Sequence, residues 1–176
     1  ISMKKFLTTL GLVTMLAGCS LFTSEAKAGT NIDGNVQSRC TVETDTPGTY
    51  GNPNAYTLTT VPASSGQVPI VRFDVSLANA YYAQISYPTS FSSSPSLSDS
   101  VTWTGAVTVV QTSSSDMNGY QAASTTPTTS MRQYALTVAG TTWFDATSVA
   151  TYGGGQNKAF PGGSYSAVVV AECIAQ

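Results

Sequence analysis

The chain has 176 residues, of which 41% are hydrophobic and 9% are charged, with a formal net charge of −2 and no histidine. Without histidine the chain has no Ser-His-Asp or Cys-His catalytic relay and no imidazole metal site. Beyond the N-terminal segment its cations form no basic stripe able to neutralise several phosphates, so nucleic acid is not an expected partner. Those cations are Arg39, Arg72, Arg132 and Lys158.

The first segment has the pattern of an export signal. Lys4 and Lys5 follow Met3, and a mostly apolar stretch covers 6–18. A helix needs roughly 20 apolar residues to cross a bilayer, so this stretch is too short for a membrane span. We therefore interpret 1–28 as a signal peptide.

Two processing sites compete at the end of this signal. Residues 16–19 read LAGC, the form of a bacterial lipobox, in which Cys19 receives lipid before the peptide is cut. Residues 26–28 read AKA, an ordinary secretory site with cleavage before Gly29. An acylated Cys19 would anchor the protein through several chains, whereas a free Gly29 would release it. The sequence leaves both readings open.

The two remaining cysteines are Cys40 and Cys173. In an oxidising compartment, two thiols are most simply one disulfide, which here would tie the first strand to the last. Closing so long a loop stabilises the fold by about 4–5 kcal/mol in the chain-entropy account, as an upper value.

Period-two alternation of apolar and polar residues continues through most of the chain after 29. It predicts strands at 32–42, 56–61, 71–77, 81–87, 101–109, 132–138, 141–151 and 165–173. Pro- and Gly-containing turns separate these runs, and the Ser/Thr-rich segments Ser90–Ser100 and Ser124–Ser130 are expected to be long loops, since Pro95 and Pro127 argue against central strands. The prediction is one domain, 29–176, forming an all-β, antiparallel immunoglobulin-like β-sandwich of about eight strands.

Adjacent aromatic residues provide the candidate contact sites. In a strand, neighbouring side chains point to opposite faces, so one of Trp143 and Phe144, and one of Tyr81 and Tyr82, should be exposed. We take Trp143, Tyr81 and Tyr82 as candidate ligand or partner contacts, and expect Trp103 to be part of the core.

No catalytic residue, cofactor or metal site is predicted. Asp116 begins a pattern like a calcium loop, but its closing acid is replaced by Pro127. A hydrolase needs only two carboxylates about 5–10 Å apart, so the scattered acids leave that function as a third hypothesis.

Two segments resemble chaperone-usher pilins and their spore coat protein U-like relatives. Residues 36–42 (VQSRCTV) resemble the first strand of that family, and residues 161–170 (PGGSYSAVVV) resemble its closing strand. The resemblance implies an exported, incomplete immunoglobulin-like sandwich, held by a periplasmic chaperone and usher and completed by a strand from another subunit. The chain departs from the family in pairing Cys40 with the distant Cys173, and in having no alternating apolar donor strand before the fold.

The leading hypothesis is an exported structural or adhesive subunit of the bacterial cell surface, pilin-like and acting through β-strand addition to other protein subunits. The alternative is a lipid-anchored glycan-binding β-sandwich. Contact with the membrane is expected only through a lipid on Cys19.

Overall fold

The fold is built almost entirely from extended chain. The computed structural model describes residues 37–113, 124–155 and 157–176, where the regular structure is strand apart from a 3-10 turn at Pro62–Ser64. The strands are β1 (Cys40–Thr46), β2 (Gly51–Asn54), β3 (Thr57–Thr59), β4 (Ile70–Val75), β5 (Tyr81–Ser86), β6 (Val101–Thr112), β7 (Ser124–Thr128), β8 (Met131–Ala135), β9 (Gly140–Tyr152) and β10 (Val170–Ala175). They form two antiparallel sheets and confirm the predicted all-β sandwich, with ten described strands rather than about eight.

The long strand β9 organises the larger sheet. Its first half pairs with β4 and its second half with β3, while β6 pairs along its other side. β1 lies beyond β4, and β2 lies beyond β3. Every second residue of β9 from Thr142 to Tyr152 is buried, the period-two pattern that the sequence predicts.

The smaller sheet has the strand order β10-β5-β8-β7. β5 pairs with β10 on one side and with β8 on the other, all antiparallel. β7 is an edge strand, and β10 is the edge on the opposite side.

Aromatic and aliphatic side chains from both sheets fill the core. Phe73 and Phe144 are fully buried and make an edge-to-face contact with ring centroids 5.4 Å apart. The ring centroid of Tyr134 lies 4.9 Å from that of Phe144. Ile85 and Leu136 of the smaller sheet are also buried. Such ring pairs add about 0.5–1.5 kcal/mol beyond area burial.

A disulfide joins the two sheets at one edge. Cys40 in β1 and Cys173 in β10 are bonded, with their Cα atoms 6.2 Å apart. This confirms the predicted pairing and the predicted link between the first and last strands.

The ends of the domain differ from the sequence prediction. β1 covers Cys40–Thr46 rather than 32–42, and residues 37–39 are not in a strand, while 32–36 lie outside the described residues. β10 begins at Val170 rather than at 165, because Ser166 bonds to the loop residue Ser93 instead of joining the β5 ladder.

The loop prediction for Ser124–Ser130 is wrong for its first part. Residues Ser124–Thr128 form β7, which pairs with β8. Pro127 is tolerated because β7 is an edge strand with a register shift between Thr125 and Thr128, so the missing N–H breaks no central ladder. Pro53 is tolerated for the same reason, because β2 is a short edge strand. The sequence pattern did not predict β2. Ser90–Ser100 is mostly loop, as predicted.

Tyr134 links the two sheets, and its ionisation lowers the stability of the fold at alkaline pH. Its hydroxyl donates to the backbone carbonyl of Val107 in β6. Burial raises the pKa of Tyr134 above its ordinary 10.0, with Arg132 opposing and Asp145 adding to that shift. Since the folded pKa is raised, the contribution to stability is complete below pH 10 and is lost as pH rises through the folded pKa.

We expect Tyr134→Phe to lower the free energy of unfolding by about 1 kcal/mol at neutral pH, since one buried hydrogen bond is lost. Urea unfolding measured from pH 8 to pH 11 should show that the free energy of unfolding falls less with rising pH in Tyr134→Phe than in the parent chain. Identical pH profiles for the two chains would contradict this role of Tyr134.

Candidate functional site

An uncharged groove lies between the two sheets, away from the disulfide. It has a volume of about 230 Å³ and opens between the C-terminal part of β1 and the chain just before β10. One wall includes Thr44 and Tyr50, and the other includes Ala167 and Val169. The rest of the lining is Pro47, Gly48, Thr49, Thr60, Pro69, Val71, Pro88, Ser148 and Val168.

The groove exists because the two edge strands separate. β1 and β10 are held together where Cys40 meets Cys173. Toward the other end of β1, Thr44 and Val169 lie on the wall of an open space. The disulfide therefore closes one end of the seam between the sheets, and the groove occupies the other end.

Each wall contains a stretch of backbone that no described residue pairs with. β1 pairs with β4 on one side, and no described strand pairs with its other side. The ladder between β10 and β5 begins at Val170, and within the described ranges Ala167, Val168 and Val169 make no backbone hydrogen bond. Unpaired strand edges are templates for another extended chain.

A second hollow adjoins the groove and is lined from both of its walls. It has a volume of about 420 Å³ and shares Gly48, Thr49, Tyr50 and Ala167 with the first. Its other lining residues are Leu58, Gly163, Tyr165 and Ser166. No lining residue of either hollow carries a charge, so an occupant of the groove meets only apolar groups, hydroxyls and backbone.

A ring cluster outside the main core supports the wall formed by 163–169. Phe91 lies at its centre, with ring centroids 4.7 Å from Trp103, 5.0 Å from Tyr165 and 6.0 Å from Phe160. Gly163 has a φ of +148°, which favours glycine, and a Cβ there would lie 2.6 Å from Pro95. The wall is therefore packed against the Ser90–Ser100 loop rather than free in solvent.

The two tyrosines of the groove are fixed by hydrogen bonds. The hydroxyls of Tyr50 and Ser148 lie 3.1 Å apart, and Tyr165 donates to the carbonyl of Pro161 at 2.6 Å. Burial raises the pKa of both phenols, and the bond with Ser148 partly opposes the shift for Tyr50. Both side chains stay neutral at physiological pH and present ring surface rather than charge.

The contact residues predicted from sequence are not brought together. Trp143 is half-buried on the outer face of the larger sheet, where its indole N–H donates to Asp45 at 3.1 Å. Tyr81 is half-buried and packs against the core. Tyr82 is half-buried and pairs with Ile174 of β10 and Ala135 of β8. None of the three lines the groove.

Carboxylates in the described ranges form ion pairs outside the groove. Arg72 bonds Glu43 at 2.6 Å and Asp74 at 3.0 Å. Asp99 bonds Lys158 at 2.8 Å, which holds the pKa of that carboxyl below its usual value. No group of three or more potential metal ligands occurs among the residues described, and neither hollow is lined by an acid.

Comparison with known proteins gives one match. Residues 3–20 match the prokaryotic membrane lipoprotein lipid attachment site. No curated protein and no solved structure matches the chain. In the parts of the chain that the structure describes, no helix is long and apolar enough to cross a membrane. The matched site makes the chain an exported, lipid-anchored protein of the cell envelope; Cys19, within the match, lies outside the described residues.

Proposed function

We propose that this protein is a lipid-anchored structural or adhesive subunit of the bacterial cell envelope that joins other proteins by accepting an extended strand in its groove. The observation that carries the proposal is the uncharged groove, whose walls include the edge of β1 and the backbone of Ala167–Val169, both unpaired among the described residues. Cys19 is the residue proposed to hold the lipid, since it ends the LAGC motif within the matched segment.

The geometry favours an extended peptide as the occupant. Thr44 belongs to the edge strand β1, and the backbone of Ala167–Val169 has no hydrogen-bond partner among the described residues, so an inserted strand would gain backbone hydrogen bonds along both walls. Side chains on alternate positions would enter the space between the sheets, beside Val71 and Val169. Residues with small apolar or hydroxyl side chains suit a lining without charges, because a charged group buried there would be left unpaired.

Assembly at this groove would be pilin-like, by addition of a β-strand from another subunit, as the leading sequence hypothesis has it. The glycan alternative relied on Trp143, Tyr81 and Tyr82, which are half-buried in three separate environments. A sugar platform needs exposed rings on one surface, so no observation favours that alternative.

The test places a photo-crosslinking amino acid in the full chain, which is expressed in its native bacterium so that it reaches the cell envelope. At Thr49, which is exposed and lines both hollows, or at Ala167, irradiation should yield discrete adducts with a protein partner. The matched control is Glu172, exposed on β10 but outside the groove lining. Adding Ala167→Arg to the Thr49 variant should reduce adducts by about tenfold, since a buried unpaired charge is costly.

Equal labelling from Thr49 and Glu172, or no protein adduct from Thr49 and Ala167, would overturn the proposal. Retention of the disulfide on a non-reducing gel checks that each variant is folded.

A further inference from the structure

β6 is the one described edge strand that carries neither a charged residue nor a proline. Edge strands in soluble proteins are usually short or carry charges, prolines or bulges that oppose pairing. β1 contains Glu43 and Asp45, β10 contains Glu172, β2 has four residues with Pro53, and β7 contains Pro127. β6 has twelve residues with no charge and no proline, and its one register shift lies near its end, between Val109 and Gln111.

Among the described residues, the backbone groups on the free side of β6 have no partner except at Val107. Ala106 and Thr108 point their N–H groups toward β9, where the side chains of Thr147 and Asp145 accept them. Backbone groups alternate in direction along a strand, so Val101, Trp103 and Gly105 point theirs away from β9. Val107 points its carbonyl away too, where it accepts the hydroxyl of Tyr134.

We propose that β6 pairs antiparallel with β6 of a second copy of this chain, which makes one continuous sheet across a two-fold axis. Two-fold pairing brings a strand opposite itself, so any charge on it would face a like charge. β6 has none, and its exposed outer residues are Thr102, Thr104, Ala106 and Thr108. Lipid anchors hold copies in one membrane plane, which raises their effective concentration for such pairing.

The proposal concerns a different edge from the groove and stands apart from the proposed function. It is tested in membranes with the full chain and a single introduced cysteine, Thr104→Cys. That thiol is the free one, because Cys40 and Cys173 are bonded and Cys19 is either acylated or removed. Across a two-fold pair, diagonal Cβ atoms are about 7–8 Å apart, within reach of a short bifunctional maleimide.

We expect Thr104→Cys to give at least about fivefold more crosslinked dimer than the matched control Thr125→Cys, whose exposed thiol lies on β7. Adding Ala106→Lys and Thr108→Lys should lower that dimer yield by about fivefold or more, because like charges would face each other.

Equal dimer yields from the two cysteine positions would overturn the proposal, as would a yield unchanged by the two lysines. The absence of any crosslinked dimer from Thr104→Cys would likewise overturn it. A missing adduct at Thr49 leaves this result unaffected, so the two proposals fail separately.

Discussion

Replacing Cys40 and Cys173 together by alanine is expected to lower the free energy of unfolding by about 2–5 kcal/mol. The bond joins residues separated by 133 positions, so its loss frees nearly the whole domain in the unfolded state. It also removes the covalent link between two sheet edges, β1 and β10, that no ladder joins. Both cysteines are changed at once to avoid leaving a reactive thiol.

Urea unfolding of the lipidated chain in detergent measures this effect. Reductant should destabilise the parent chain by a similar amount and leave the double variant unchanged. A difference below about 1 kcal/mol would mean that the denatured chain is already constrained or that native strain cancels the gain.

The disulfide also bears on the groove, because it fixes the distance between the two walls at their closed end. In the double variant we expect the seam to widen and the photo-adducts at Thr49 to weaken even where the chain remains folded. The bond therefore serves both stability and the shape of the proposed binding site.

The larger part of the fold was predictable from the sequence. Alternation over 71–77 and 141–151 places Phe73 and Phe144 on the inner faces, and both are fully buried. Such alternation reports burial directly, since one face of each strand packs on the other sheet. The pairing of Cys40 with Cys173 followed from counting, because no other cysteine remained.

The groove was not predictable, because it depends on where strands stop pairing. Residues 165–173 alternate like one strand, yet the ladder begins only at Val170. Ser166 bonds to Ser93, and Tyr165 packs on Phe91, so long-range contacts remove this segment from the sheet. The only local signal was the PGG turn at 161–163, which indicates that a strand is interrupted there but does not identify the loop that the segment packs against.

The aromatic candidates show the same limit. Adjacent rings at 143 and 144 predict one inward and one outward side chain, and Phe144 is indeed fully buried. Trp143 is covered in part and bonded to Asp45, a residue nearly one hundred positions away on β1. Exposure predicted from alternation assumes bare strand faces, and a neighbouring strand's side chains can cover a ring.

Replacing Cys19 by alanine is expected to move the protein from the membrane fraction to the soluble fraction. Several acyl chains anchor a protein stably in the bilayer. Without them, the exported domain has no lipid contact to hold it at the membrane. In the variant, the AKA site at 26–28 remains available, so mass spectrometry should find a free N-terminus at Gly29. The parent chain should instead show an acylated Cys19.

Ala28→Glu is the matched control, since it disrupts the secretory site and leaves the lipobox intact. If the lipobox is used, the Ala28→Glu variant still begins with an acylated Cys19 and still appears in the membrane fraction. If the protein is instead cut before Gly29, Ala28→Glu blocks processing while Cys19→Ala has no effect on location. The two variants therefore give opposite results under the two readings of the signal, and the second result would remove the lipid anchor from the proposed function.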